Sequence, residues 1–236
     1  GLVGFVIEIG QNNADIGEDG TNVKSDNYSL SNYTVFSLDH NTKLESVIGI
    51  GHLKIDTIRS DGSETLIGER HAAQRYVSTR LVRKNKINFG RWKAWPYIMH
   101  STALTNLDGF SETGGSTALT FDDQQVRDSK VGVGVDIHTK ITTNNNDTIK
   151  PFSKIEYNRS SSKTSATMYY SSEGPENSYT STDNKGNTSW KLKLGADLIT
   201  ESGWNGSTSY TREQSVRSGL DYEYSNIFRF NIGKRF

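Results

Sequence analysis

The chain of 236 residues has no cysteine, only 3 prolines and no surplus of either charge, since Lys plus Arg and Asp plus Glu stand at 27 each. Each absence removes a class of protein. Without cysteine there is no disulfide scaffold and no thiolate metal site. Balanced charge leaves no overall field to attract nucleic acid or anionic lipid, so no nucleic-acid partner is expected. No window approaches the roughly 18 consecutive apolar residues that a membrane helix needs. With 33% hydrophobic residues and a mean hydropathy of −0.65, the chain is also too polar for a bundle of spanning helices. A porin-like barrel escapes that limit, because only alternate residues face lipid while its lumen and loops are polar.

What is present is alternation. Gly, Ser, Thr and Asn punctuate short runs of period two, and helical periodicity is scarcely visible. Val3, Phe5, Ile7 and Ile9 alternate with Gly4, Val6 and Glu8. Val131, Val133, Val135, Ile137 and Ile141 alternate with Gly132, Gly134, Asp136, His138 and Lys140. Trp190, Leu192, Leu194, Ala196 and Leu198 alternate with Lys191, Lys193, Gly195 and Asp197. The cleanest case is the last stretch. Tyr222, Tyr224, Asn226, Phe228, Phe230, Ile232, Lys234 and Phe236 fall on one face, and Glu223, Ser225, Ile227, Arg229, Asn231, Gly233 and Arg235 on the other.

This pattern predicts an all-β chain of about ten strands, at 2–10, 27–38, 43–58, 70–84, 91–106, 128–141, 149–159, 188–200, 203–214 and 222–236. Many are near the nine to eleven residues with which a tilted strand spans a bilayer. The predicted connections alternate in length. Short ones lie at 39–42, 84–90, 142–148 and 201–202; long ones lie at 11–26, 59–69, 106–127, 160–187 and 215–221. That rhythm is the one expected of periplasmic turns against extracellular loops. The stretches 116–121 and 160–170 are read as parts of extracellular hairpins rather than as further crossings. One domain covering residues 1–236 is expected. The chain opens on Gly1 with no signal peptide, so it reads as a fragment, incomplete at its N-terminus.

Catalytic and metal chemistry find little support. His40, His52, His71, His100 and His138 are scattered, with no HExxH spacing. The GVGVDI and GIGH segments do not complete a dinucleotide loop, and small lumen-facing residues explain Gly49, Gly51, Gly132 and Gly134 better. Asp15, Glu18, Asp19 and Gly20 lack the terminal glutamate of a calcium loop. There is no GxSxG, and no paired-aspartate or Asp-His signature at the strand tips. No catalytic residue, cofactor or metal is therefore expected. More weight falls on charges that the alternation turns inward: Glu8, Asp136, Lys140, Lys154, Glu156, Lys191, Lys193, Asp197, Arg229 and Arg235. Both signs are interleaved, as across a narrow, wet lumen.

With these residues in hand, the chain resembles the C-terminal β-domain, or translocator, of type V secretion autotransporters. The likeness rests on Trp95 to Phe121, with Pro96 leading a strand and Phe110, Glu112, Gly114 and Gly115 in the loop after it. It rests also on VGVGVDI (131–137), PFSKIEY (151–157) and the terminal FRFNIGKRF. The resemblance implies an antiparallel transmembrane outer-membrane β-barrel of twelve strands, about ten of them present. It implies no reaction, but insertion in the outer membrane and secretion or surface display of an N-terminal passenger. Partners implied are outer-membrane lipid, the passenger in cis and the barrel-assembly machinery, which would read the terminal strand through Phe228, Phe230, Ile232 and Phe236. A small porin, a surface adhesin barrel and an omptin-like protease are the alternatives, separable by the coding sequence upstream of Gly1.

Overall fold

The computed structural model describes residues 1–16, 20–62, 64–84, 87–216 and 224–234. Ten long strands follow one another in chain order: β1 (Leu2–Ile16), β2 (Thr21–Ser37), β3 (Thr42–Asp61), β4 (Glu64–Arg83), β5 (Trp92–Leu107), β6 (Gln124–His138), β7 (Thr148–Tyr170), β8 (Tyr179–Ile199), β9 (Trp204–Ser215) and β10 (Tyr224–Lys234). All belong to one sheet in which each long strand pairs antiparallel with the next. Sequential antiparallel pairing needs only tight connections, which glycine supplies where φ turns positive, as at Gly62 after Asp61.

Every one of the ten predicted strands is present, but several are longer than alternation marks. β7 has 23 residues and β8 has 21. The stretches 11–26, 59–69 and 160–187, expected as long loops, are instead mostly paired hairpin arms. Lys163 still pairs with Asn184, and Arg59 with Leu66. The reason is physical. Where both faces of a hairpin meet water, the hydrophobic dyad vanishes while the backbone ladder, helped by Ser and Thr, continues. The stretch 106–127 keeps a true loop. Phe110–Ser111 pairs with Leu119–Phe121, which in turn pairs with Met168–Tyr170 at the end of β7.

The register separates two faces across the whole sheet. One cross-strand row runs Phe36, Leu44, Leu81, Ile98, Val133, Tyr157, Trp190, Gln214 and Tyr224, apolar or aromatic at eight of nine strands. The neighbouring row on the opposite face runs Tyr97, Gly134, Glu156, Lys191, Glu213 and Ser225. The second face is concave. Lys130 on β6 lies 3.4 Å from Glu213 on β9, three strands away, and a flat sheet would hold those strands about 14 Å apart. A cavity of about 700 Å³ is lined jointly by Glu8, Asn27, Gln74, Ser101, Lys130 and Asn187, from strands as far apart as β1 and β8. Apolar side chains therefore point outward and polar ones inward, the inverse of a soluble domain.

Candidate functional site

The concave face carries a network of paired charges. Glu156, only 3% exposed, accepts hydrogen bonds from the Tyr97 hydroxyl at 2.7 Å and the Asn158 amide at 2.9 Å, and pairs with Lys154 at 3.0 Å. Arg80 bridges Glu45 at 3.2 Å and Asp136, while its guanidinium lies 4.0 Å from the Tyr97 ring centroid. Glu213 joins Lys130 and Lys191 and accepts from the Ser189 hydroxyl at 3.1 Å. Ionised groups on this concave face are only partly hydrated, so each is held by an opposite charge and by hydrogen bonds.

Small residues make room for this layer. A Cβ at Gly134 would collide with the Tyr97 hydroxyl and lie 2.7 Å from the Ile155 backbone oxygen. Tyr76 lies over Gly49, and the Phe152 ring over Gly195, in the same way. Bulky side chains on the concave face thus lie flat across neighbouring strands at glycines.

The inward residues expected from sequence fall as follows. Asp136, Lys154, Glu156 and Lys191 sit in the ion-pair network. Lys193 lies over the Phe152 ring at 5.4 Å. Glu8 lines the cavity of about 700 Å³, and Asp197 lines one of about 730 Å³ at the short-turn end, beside Lys140 and Lys150. Lys140 is not on a strand: β6 ends at His138, so Lys140 stands exposed in the following turn. Arg229 pairs with Ser209 and is exposed on the edge strand. Phe228, Phe230 and Ile232 are 80%, 74% and 68% exposed on the outward face. Arg235, Phe236, Glu18 and Asp19 lie outside the described residues. Sequence alone missed Glu45, Arg80, Tyr97, Lys130, Asn158 and Glu213. The strands of Glu45, Arg80, Tyr97 and Glu213 have weak dyads, so register with their neighbours assigns their face, whereas Lys130 and Asn158 continue the polar alternation of Gly132 and Gly134 and of Lys154 and Glu156.

At the hairpin end the loop after β5 folds onto the arms of β3 and β4. Arg59 donates to both Glu112 carboxylate oxygens, at 3.0 and 2.6 Å, and to the Thr117 carbonyl at 2.8 Å. Glu112 raises the Arg59 pKa above its ordinary value. Glu64 accepts four hydrogen bonds, from the amides and hydroxyls of Ser116 and Thr117, and these hold its carboxyl down at about 2. Ile67 and Thr113 exchange backbone hydrogen bonds at 2.8 and 2.9 Å. Gly114, at φ 112°, brings the loop against the Thr65 carbonyl. Leu66, with no exposed surface, is buried among these contacts.

The autotransporter β-domain family model matches residues 1–211. The chain belongs to the autotransporter β-domain family. Its role is that of an outer-membrane translocator barrel that carries a passenger linked in cis, and its place is the bacterial outer membrane. Among solved structures, the β-domain is similar to the translocator domain of autotransporter NalP from Neisseria meningitidis, with a TM-score of 0.75 and 17% identity over 99% of this chain and 74% of that one. It is also similar to the β-domain of the Bordetella autotransporter BrkA, with a TM-score of 0.64 and 13% identity over 99% of this chain and 83% of that one. At such identities the likeness concerns the fold. No curated protein sequence matches the chain.

Proposed function

We propose that the concave face is the wall along which the passenger crosses, and that the domain acts by shape and electrostatics with no chemistry of its own. The supporting observation is the pairing of opposite charges on that face. Carboxylates tied to Lys and Arg are neutralised, so the wall offers hydrogen bonds to a polypeptide without holding one sign of charge tightly. The hairpin end faces the outside and the short-turn end the periplasm. The barrel-assembly machinery reads β10 through Phe228, Phe230 and Ile232, with Phe236 beyond them. Among the described residues β1 and β10 each have only one long-strand partner, and in the proposed reading two further strands complete the wall between them.

The absence of cysteine provides the test. Single cysteines are placed at Lys130, on the concave face, and at Ile98, on the outward face. A passenger stalled during secretion is expected to cross-link from position 130 and not from 98. Cross-linking from 98 alone would overturn the assignment of faces.

A further inference from the structure

Overall charge is balanced, but its distribution is not. On the outward face of β4 to β8 one cross-strand row reads Arg75, Leu104, Arg127, Lys163 and Asn184. Arg127 and Lys163 are direct cross-strand partners, an arrangement of like charges that is destabilising unless an anion lies between them. Four residues below Lys163 on the same face stands Arg159, paired with Val131. Arg75, Arg127, Arg159 and Lys163 are all exposed, and none takes part in an ion pair among the described residues. The polar contact of Arg127 is with the Gln125 amide oxygen at 2.8 Å. From the row of Ala73 down to that of Thr79, no carboxylate stands on the outward face of these five strands. The concave cations Lys130, Lys154 and Lys191 behave differently, each meeting a glutamate.

Directly beneath lies an outward groove of about 540 Å³, lined by Leu44, Leu81, Ile98, Val131 and Tyr157 and bordered by Arg159. An apolar groove with a guanidinium at its rim and three more cations above it matches an acyl chain topped by a phosphate. Arg and phosphate pair bidentately, and Arg presents this geometry without the strong hydration of an ammonium.

We propose that this face binds a phosphate-bearing lipid of the outer leaflet, with Arg159 at the mouth of the acyl groove and Arg75, Arg127 and Lys163 as the upper anion row. The leaflet assignment rests on the orientation proposed above, in which the hairpin end faces outward. Protease cleavage of the 108–123 loop on intact cells reads that orientation separately.

The test uses the protein extracted from membranes in mild detergent. It is exchanged into micelles holding equal amounts of diphosphoryl lipid A and the same lipid stripped of its phosphates, and the retained lipid is quantified. The phosphorylated form should be retained at least about tenfold over the stripped form, and each cation removed should lower that preference. The variant R75Q/R127Q/R159Q/K163Q should fall to parity, while K43Q/K84Q/K93Q/K150Q, altered at the opposite end, should keep the preference. Parity in the unaltered protein, or an undiminished preference in the first variant, overturns the proposal. Should that variant fail to fold, Arg159→Gln alone and a salt series on the unaltered protein decide the matter, since screening must erode a phosphate preference. Full displacement of the lipid by inorganic phosphate would also overturn it, because the groove would then contribute nothing.

Discussion

The fit of single side chains on the concave face depends on what is missing beneath them. At Gly134 the absent Cβ is the space that the Tyr97 ring occupies while its hydroxyl donates to Glu156. Gly134→Ala should force that ring off its rotamer and lower barrel stability by about 1–3 kcal/mol. Gly186→Ala, whose Cβ would meet only the Ser160 carbonyl at 3.8 Å, should be nearly silent. The temperature at which the barrel loses its compact gel mobility compares the two, and equal effects would remove the steric argument. Glu64 shows the electrostatic counterpart. Its carboxyl pKa is lowered from 4.5 to about 2 by the Ser116 and Thr117 donors. A depressed carboxyl pKa stabilises the docked loop fully above the ordinary value, and that contribution fades as pH falls from 4.5 towards 2. An NMR titration of the carboxyl carbon should show a midpoint near 2. An ordinary midpoint would mean that the loop does not hold Glu64 in solution.

At the scale of elements, alternation alone was enough to locate all ten long strands, because a face in lipid must be apolar at every second residue. It failed at the hairpin ends, where water on both faces removes the pattern and leaves Ser162 or Thr182 looking like loop residues while their backbones stay paired. It failed also at Arg80 and Glu213, whose inward direction depends on register with β3, β5 and β8 and not on their own neighbours in sequence. The docked loop was partly legible: Phe110, Glu112, Gly114 and Gly115 stood out as a motif, but Arg59 and Glu64, over fifty residues upstream in the sequence, did not. β10 was the most legible element of all. Phe228 and Phe230, opposite Tyr210 and Thr208, present almost their whole side chains outward. The pair of changes F228D and F230D should therefore abolish membrane assembly, since charges on the lipid face are unfavourable, about 2–4 kcal/mol for Lys or Arg at the midplane and somewhat less for each Asp. Unchanged outer-membrane levels on immunoblots would show that this face does not meet lipid.

For the whole molecule the decisive quantity is the number of unpaired backbone groups. β1 and β10 end the order of long strands, each with one long-strand partner among the described residues. In water an open edge invites pairing with another chain; in hydrocarbon each unsatisfied N–H or C=O costs several kcal/mol. β1 extends over 15 residues and β10 over 11, so the two edges together would expose more unsatisfied groups than the roughly 5–15 kcal/mol stability of a domain can tolerate. Ten strands alone should therefore fold poorly in a bilayer, or close imperfectly by drawing Val3 to Ile9 beside Phe228 to Ile232. A chain extended upstream by two alternating strands should instead give a protease-resistant barrel whose gel mobility changes only on heating. The comparison is made by refolding both chains into the same vesicles and heating them side by side. If the ten strands alone match the extended chain in protease resistance and melting, β1 and β10 pair with each other in the bilayer, and the two-strand completion of the wall is wrong.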